Sequence, residues 1–466
     1  MNQPADANPS TDFTTLVMAP SLLRGVEALG YSAMTPIQAR ALPELLAGRD
    51  LIAQAPTGSG KTAAFGIALL HALDLSAIRT QALVLCPTRE LASQVATQLR
   101  KLAVGLPNLK VSLLCGGMAL EPQLSSLEHA PHVVVGTPGR IQELLKKNVL
   151  QLRQVRMLVL DEADRMLDMG FEDQLADIVK RLPRERQGAL FSATLPETIR
   201  TLARAALRDP VEVTVDAGVS APAIEQVFVE VDAGKRTQTL AALLLEQGEG
   251  PVVVFCNMRR DVDDVAASLA HYGFDALALH GDMEQRDRDE ILVRFANRSA
   301  TVLVASDVAA RGLDIDDIAC VINHELPTDA DTYTHRIGRT GRAGKAGLAI
   351  SLCTVRELPR ANAIAAASGA ALRWRTVTPL DGRPPRVPVA PMKTLRIDAG
   401  RTDKLRPGDI VGALTGDMGL KADAIGAIKV FPTRTYIAIA RAQAATALAR
   451  LREGRIKNRK FRVLAI

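Results

Sequence analysis

The chain has 466 residues, 57 Lys and Arg against 51 Asp and Glu, 47% hydrophobic and 23% charged residues. That length and balance exclude a single small module and wholesale disorder, and predict about three domains of an ordinary globular protein. No apolar run reaches the roughly 18 residues needed to span a bilayer, so no membrane partner is expected.

Residues 1–12 are polar, carry Pro4 and Pro9, and lack the basic-then-apolar order of a signal peptide. They read as a flexible N-terminus of a cytoplasmic chain. From residue 13 short runs rich in Val, Ile, Leu and Ala recur at 50–55, 81–86, 132–136, 157–161 and 188–192, with helix-like stretches between them. Runs that are apolar on both faces belong to buried parallel strands. After Asp209-Pro210 the pattern restarts, with runs at 251–256, 275–280, 300–305, 320–323 and 347–352. Strand and helix alternating in this way predict two tandem α/β domains, each a doubly wound parallel sheet, over 13–212 and 213–374. Residues 375–391 hold Pro379, Pro384, Pro385, Pro388 and Pro391 with little periodicity and read as a semi-rigid linker. Beyond it, strand and helix patterns at 393–397, 406–414, 427–430, 435–440, 441–452 and 460–464 give the order β-α-β-β-α-β. That is a ferredoxin-like α+β unit over 392–466, an order shared by RNA-recognition modules and by many unrelated domains. The five cysteines, Cys86, Cys115, Cys256, Cys320 and Cys353, are scattered singly and read as reduced core thiols.

Charge is unevenly placed. Residues 391–466 carry 16 Lys and Arg against 6 Asp and Glu, so the rest of the chain is slightly acidic. The peak is Arg455-Ile-Lys457-Asn-Arg459-Lys460-Phe-Arg462, a density that suits a polyanion or simply a solvated tail.

Directly after the first strand stands Ala55-Pro-Thr57-Gly58-Ser59-Gly60-Lys61-Thr62, followed by a helical stretch. Strand, glycine loop and helix in that order make a phosphate-binding loop: backbone N–H groups wrap phosphates, Lys61 reaches the β and γ oxygens, and Thr62 can hold Mg²⁺. Ala55 stands where the general pattern has glycine. The run 157–161 ends in Asp161-Glu162-Ala-Asp164, at the strand end where open α/β sheets put their ligands. Asp161 can hold Mg²⁺ through water and Glu162 can activate the attacking water, or the acids simply cap the next helix. Further on, His335-Arg336-Ile-Gly-Arg339-Thr-Gly-Arg342 supplies cations for a developing phosphate charge; on one helix its arginines would instead share a surface face.

Taken together, Ala-x-Thr-Gly-Ser-Gly-Lys-Thr at 55–62, Pro-Thr-Arg-Glu-Leu-Ala at 87–92, Thr-Pro-Gly-Arg at 137–140, Asp-Glu-Ala-Asp at 161–164, Ser-Ala-Thr at 192–194 and His-Arg-Ile-Gly-Arg-Thr-Gly-Arg at 335–342 resemble the ordered motifs of the DEAD-box RNA helicases. The resemblance covers about 13–372 and implies two RecA-like domains, ATP and Mg²⁺ as cofactors, and RNA as partner. It implies that Gln38 reads adenine, that Phe13 stacks on the base, and that Asp314 contacts ribose. Arg339 and Arg342 take the place of arginine fingers. Ser192 and Thr194, with His335, take the place of the link between hydrolysis and strand separation. RNA backbone contacts carried over are Thr88, Arg89, Gly117, Thr137 and Arg140 in the first domain, and Gly281, Arg288 and Asp307 in the second, where Ser306 replaces the commoner threonine.

The segment 405–420, Leu-Arg-Pro-Gly-Asp-Ile-Val-Gly-Ala-Leu-Thr-Gly-Asp-Met-Gly-Leu, with the basic end, resembles the RNA-binding domain of the bacterial DbpA-type helicases. That implies a helicase directed to large-subunit (23S) ribosomal RNA during ribosome assembly, acting as a monomer on short duplexes within pre-ribosomal particles. With only Phe431, Tyr436 and Phe461 as aromatics in this domain, Arg455, Lys457, Arg459 and Lys460 are expected to carry much of its affinity. An ATP-gated clamp without unwinding is the alternative, and a DNA translocase or a small-molecule kinase stands behind it.

Overall fold

The computed structural model describes residues 10–56, 58–215, 224–310, 318–341, 346–368, 372–416 and 419–466. Among the described residues of the first domain, seven strands alternate with nine α-helices. The strands are β1 (Leu51–Gln54), β2 (Ala82–Leu85), β3 (Val111–Leu114), β4 (Val133–Gly136), β5 (Met157–Asp161), β6 (Gln187–Ser192) and β7 (Val211–Thr214). The helices are α1 (Pro20–Ala28), α2 (Pro36–Leu46), α3 (Lys61–His71), α4 (Arg89–Leu102), α5 (Leu120–Leu127), α6 (Pro138–Lys146), α7 (Ala163–Asp168), α8 (Glu172–Lys180) and α9 (Glu197–Ala206). The sheet order is β3-β4-β2-β5-β6-β1-β7, with every pairing parallel. Alternate side chains explain the unbroken apolar runs: Val84, Val135 and Phe191 enter the core on one face, while Leu83, Leu85 and Leu160 enter the core on the other. The first sheet runs slightly past the expected boundary at 213, because Thr214 still pairs with Gln54.

The second domain repeats the plan. Its strands are β8 (Ile224–Glu230), β9 (Val252–Cys256), β10 (Ala276–Leu279), β11 (Val302–Ser306), β12 (Cys320–Asn323), β13 (Gly347–Cys353) and β14 (Arg373–Arg375). They lie in the order β10-β11-β9-β12-β13-β8-β14, again all parallel. Its helices are α10 (Arg236–Gln247), α11 (Arg259–Tyr272), α12 (Gln285–Ala296), α13 (Asp307–Ala310), α14 (Ala330–Ile337) and α15 (Leu358–Ser368).

Residues 375–391, expected as a semi-rigid linker, form a strap along this domain. Val377 is buried, Leu380 and Val387 pack on the second-domain core, and the Leu380 N–H donates to the Gln238 carbonyl. The last domain comprises β15 (Met392–Ile397), α16 (Pro407–Thr415), β16 (Ile425–Val430), β17 (Thr435–Ala440), α17 (Arg441–Glu453) and β18 (Val463–Ala465). This is the expected β-α-β-β-α-β succession, in an antiparallel sheet ordered β16-β17-β15-β18. Leu395, Ile397, Ile437 and Ile439 face the two helices and form its core with Ile410, Leu414, Ala447 and Leu451. All five cysteines are buried and free, and burial raises the thiols, Cys115 and Cys320 to about 12.

His324, just after β12, sits beneath Arg236, which donates to its carbonyl, and 3.5 Å from the Thr237 hydroxyl. Burial pushes its imidazole down to about 4, with Arg236 adding to the shift and Glu357 opposing it. A folded-state value below the unfolded one means stability is intact above about pH 6.5 and falls as pH drops toward 4. Between pH 7 and pH 5 the second domain should lose about 2 kcal/mol more in the native chain than in His324→Asn. Denaturant unfolding of both at the two pH values measures the difference, and equal losses would refute the assignment.

Candidate nucleotide and RNA site

The carboxyl-end loops of the first sheet gather the motif residues. The loop after β1 turns through left-handed Gly58 (φ +83°) and Gly60 (φ +96°), a conformation that favours glycine. A Cβ on Gly60 would fall 2.5 Å from the Gln38 amide nitrogen and 2.9 Å from the Thr35 hydroxyl, so this glycine lets the loop seat against α2. Gln38 bridges the two segments: its amide NH₂ donates to the Gly60 carbonyl (3.1 Å) and its oxygen accepts from the Thr35 N–H (3.0 Å). Phe13 is buried in the core of the domain, 4% exposed, so here it packs rather than presenting a stacking face. Lys61 opens α3, and its buried ammonium donates to the Ala55 carbonyl at 2.9 Å. Thr62 follows it and Ser59 stands two residues before it, while Thr57 lies outside the described residues.

At the end of β5, Asp161 is 2% exposed and its Oδ1 has no hydrogen-bond partner. Burial pushes its carboxyl up to about 7 despite the opposing pull of Lys61. An orphaned, desolvated carboxylate next to a lysine-bearing phosphate loop fits a hydrated divalent cation, which would relieve both. Glu162 sits in the left-handed region (φ +51°) at the start of α7, and its carboxylate accepts from Arg165 Nη1 at 3.1 Å, with both residues buried. Asp164 reaches the next strand end: its Oδ2 accepts from the N–H groups of Ala193 (3.0 Å) and Thr194 (3.1 Å) and from the Thr194 hydroxyl (3.4 Å). Ser192 is fully buried and its hydroxyl has no partner, so the 161–164 segment is joined to 193–194 and not to the Ser192 side chain.

The RNA-contact candidates of this domain converge at the ends of β2, β3 and β4. Thr88 caps α4 by accepting from the Leu91 N–H (3.2 Å). Thr137 accepts from Gly116 N–H (3.2 Å), and Arg140 donates to the Met118 carbonyl (3.3 Å). Gly117 (φ +66°) packs over Arg89, whose guanidinium would lie 2.5 Å from a Cβ there. Arg89 Nη1 is buried with no acceptor.

In the second domain Gly281 faces open space, and Arg288, on α12, is 8% exposed with Nη1 3.5 Å from the His280 carbonyl. Asp307 does not present a free carboxylate. Arg336 takes it with both ends of the fork, at 2.6 and 2.7 Å, and also donates to Asn323 Oδ1, Asn257 Oδ1 and the Glu325 carbonyl. Arg336 and Arg339 therefore do not share a helical stripe. α14 stops at Ile337, Arg336 points inward at 1% exposure over the Phe255 ring, and Arg339 follows the helix with its Nε on the His335 carbonyl (3.2 Å). Arg336 is the residue that sequence reading missed as an organiser. Arg342 and Asp314 lie outside the described residues.

In the last domain the expected cation cluster is divided. Lys457 binds Asp409 (2.9 Å) and the Lys404 carbonyl, and Arg459 pairs with Asp403 (3.3 Å) over the Phe461 ring. Arg455 and Lys460 are exposed and form no ion pair among the described residues.

A phosphate loop and a carboxylate pair on one parallel sheet, a second sheet of the same plan, and a basic α+β module define a two-domain nucleoside triphosphatase joined to a nucleic-acid-binding domain. Family models agree: DEAD/DEAH box helicase matches 35–202, helicase conserved C-terminal domain matches 235–344, and DbpA RNA binding domain matches 394–464. The chain is 50% identical over 454 residues to the ATP-dependent RNA helicase DbpA of Escherichia coli K12, covering 97% of this chain and 99% of that one. It is 42% identical over 349 residues to the DEAD-box ATP-dependent RNA helicase CshA of Geobacillus kaustophilus, covering 75% and 74%. Among solved structures it resembles S. cerevisiae Dbp5 bound to RNA and ADP BeF3, with a TM-score of 0.73 and 31% identity over 79% of this chain and 96% of that one. Mss116p bound to ssRNA and AMP-PNP gives a TM-score of 0.73 and 25% identity over 81% and 82%. The chain belongs to the DEAD-box ATP-dependent RNA helicases, with a DbpA-type RNA-binding domain at its C-terminal end.

Replacing Arg336 by Met leaves Asp307 without its cation and strands the buried Asn323 Oδ1 and the Glu325 carbonyl. The second domain should lose about 2–4 kcal/mol, less than for a fully buried pair because the Asp307 side chain keeps 25% of its surface in solvent. Thermal or urea unfolding reads the loss, and a change under 1 kcal/mol would show that the network is dispensable.

Proposed function

We propose that this helicase separates short RNA duplexes within large-subunit ribosomal RNA during ribosome assembly, as a cytoplasmic monomer. The observation that carries the reading is the fusion of a DEAD-box core to a DbpA-type RNA-binding domain, with identity running through the whole chain.

In this reading the 55–62 loop wraps the triphosphate of ATP. Lys61 exchanges its bond to the Ala55 carbonyl for the β and γ oxygens, and Gln38, already tied to Gly60, fits its amide to adenine. Thr62 and Asp161 would hold Mg²⁺, which supplies charge neutralisation on the phosphate oxygens. Glu162 orients and deprotonates the attacking water, while Arg339 and Arg342 meet the charge that develops on the γ-phosphate. Thr88, Arg89, Gly117, Thr137 and Arg140, with Gly281 and Arg288, grip the RNA backbone and fix its position without reading sequence. ATP and RNA both favour closure of the RecA-like domains, so their affinities are reciprocally coupled. Closure bends one strand and the duplex parts; hydrolysis and phosphate release reset the cycle. Asp164 carries the state of the 161–164 segment to 193–194 through its three hydrogen bonds.

Glu162→Gln should bind ATP and RNA as the native chain does, yet hydrolyse ATP about 10²-fold more slowly or worse. Loss of ATP binding instead would remove Glu162 from its role. For targeting, ATP hydrolysis is measured without RNA, with poly(A), and with a large-subunit ribosomal RNA fragment, each with and without residues 392–466. Stimulation by the ribosomal fragment alone, lost on truncation, is the expected result. Equal stimulation by every RNA would reduce the last domain to a general electrostatic anchor, and tight ATP-dependent RNA binding without strand release would make the protein a clamp.

A further inference from the structure

The outer face of the C-terminal sheet is not open. The residues opposite the helix-facing Leu395, Ile397, Ile437 and Ile439 are Thr394, Arg396, Tyr436 and Ala438, and Thr394, Tyr436 and Ala438 are at most 2% exposed. They are covered by the second domain, which belongs to the same compact unit. Thr394 Oγ1 meets the Ser299 hydroxyl at 2.7 Å. Glu290, on α12, receives Arg396 (3.0 Å), Arg434 (3.5 Å) and the Tyr436 hydroxyl (3.3 Å) on one carboxylate oxygen. Asp275 receives Arg441 at 2.7 Å.

What this face would present if uncovered is read from the strand register. Lys429, Tyr436 and Arg396 are direct neighbours across β16, β17 and β15, with Phe431 packed edge-on to Tyr436 at 5.5 Å. Aromatic rings between cations on a sheet, with Arg434 and Arg441 at the margin, suit stacked bases and their phosphates, and they suit no apolar partner. The only acids they meet on domain 2 in these contacts are Glu290 and Asp275, which stand where phosphate oxygens would.

We propose that this face is a second, single-stranded RNA site, separate from the 455–460 edge, plugged by Glu290 and Asp275 of the second domain. Docking and RNA then compete for the same arginines and the same tyrosine, so RNA on this face and a docked C-terminal domain exclude each other.

The test uses the full chain. Glu290→Gln with Asp275→Asn removes the plug charges, and Ser299→Cys with Thr394→Cys supplies a lock at a hydroxyl pair already in contact. Binding of a labelled oligouridylate is read without nucleotide. In the reduced, unplugged chain it should tighten about tenfold or more, because stacking and freed cations both contribute. Oxidising the lock should abolish the gain, and so should Tyr436→Ala. Absence of a gain in the reduced chain overturns the proposal, as does a gain that survives the lock or the tyrosine change, since added net charge alone would then explain it. The native-plug chain carrying only the two cysteines gives a second reading that does not depend on the unplugged variant folding. Saturating oligouridylate should slow closure of the lock there, and an unchanged rate refutes competition.

Discussion

Everything in the first domain hangs on how the chain leaves β5. Glu162 must turn through a left-handed conformation that costs a non-glycine residue roughly 1 kcal/mol, and the turn aims two successive carboxylates in different directions. Asp161 stays at the strand end, buried and facing the phosphate loop; Glu162 is held by Arg165; Asp164 is pulled across to 193–194. Three hydrogen bonds to one Asp164 oxygen outweigh the strain, since those to an ionised group are each worth more than a neutral pair. The strained residue and its restraint come together, so Glu162 cannot be re-aimed without disturbing the neighbouring strand end. The ends of β5 and β6 are thereby joined by hydrogen bonds and not only by packing.

The second domain solves a similar problem with a cation. Arg336 ties the end of β11, through Asp307, to Asn257 after β9 and to Asn323 and Glu325 around the end of β12. Three strand ends are thereby fixed by a single planar fork whose donors all point at acceptors, the arrangement for which guanidinium is better suited than ammonium. Asp307 is in consequence a strut whose carboxylate is already engaged by Arg336.

What was legible in the sequence follows the same physics. The central strands announce themselves because both faces are buried, as with 82–85 and 252–256, so polarity never interrupts them. β7 and β14 were missed because edge strands are short and half solvated: Val211–Thr214 alternates, and Arg373–Arg375 is exposed throughout. β3 was missed because Ser112 breaks its apolar run, although that serine is buried. The inward turn of Arg336 was not legible because spacing fixes which residues share a helix face but not which way the face points, nor where the helix ends. The proline-rich strap hides its anchors, Val377, Leu380 and Val387, among residues that have no period to reveal them.

Charge is where sequence and structure part most instructively. Residues 391–466 hold a large cationic excess, yet Arg396, Arg434 and Arg441 are engaged by acids of the second domain, and Lys457 and Arg459 by acids of their own. Counting formal charge therefore overstates what a phosphate backbone meets. Exposed cations that form no ion pair among the described residues, Arg455 and Lys460 at one edge and Lys429 at another among them, lie beside others that are released only if a carboxylate lets go. The salt dependence of RNA binding counts the cations that actually displace counterions, so in this chain it reports the docking state of the C-terminal domain as well as its composition.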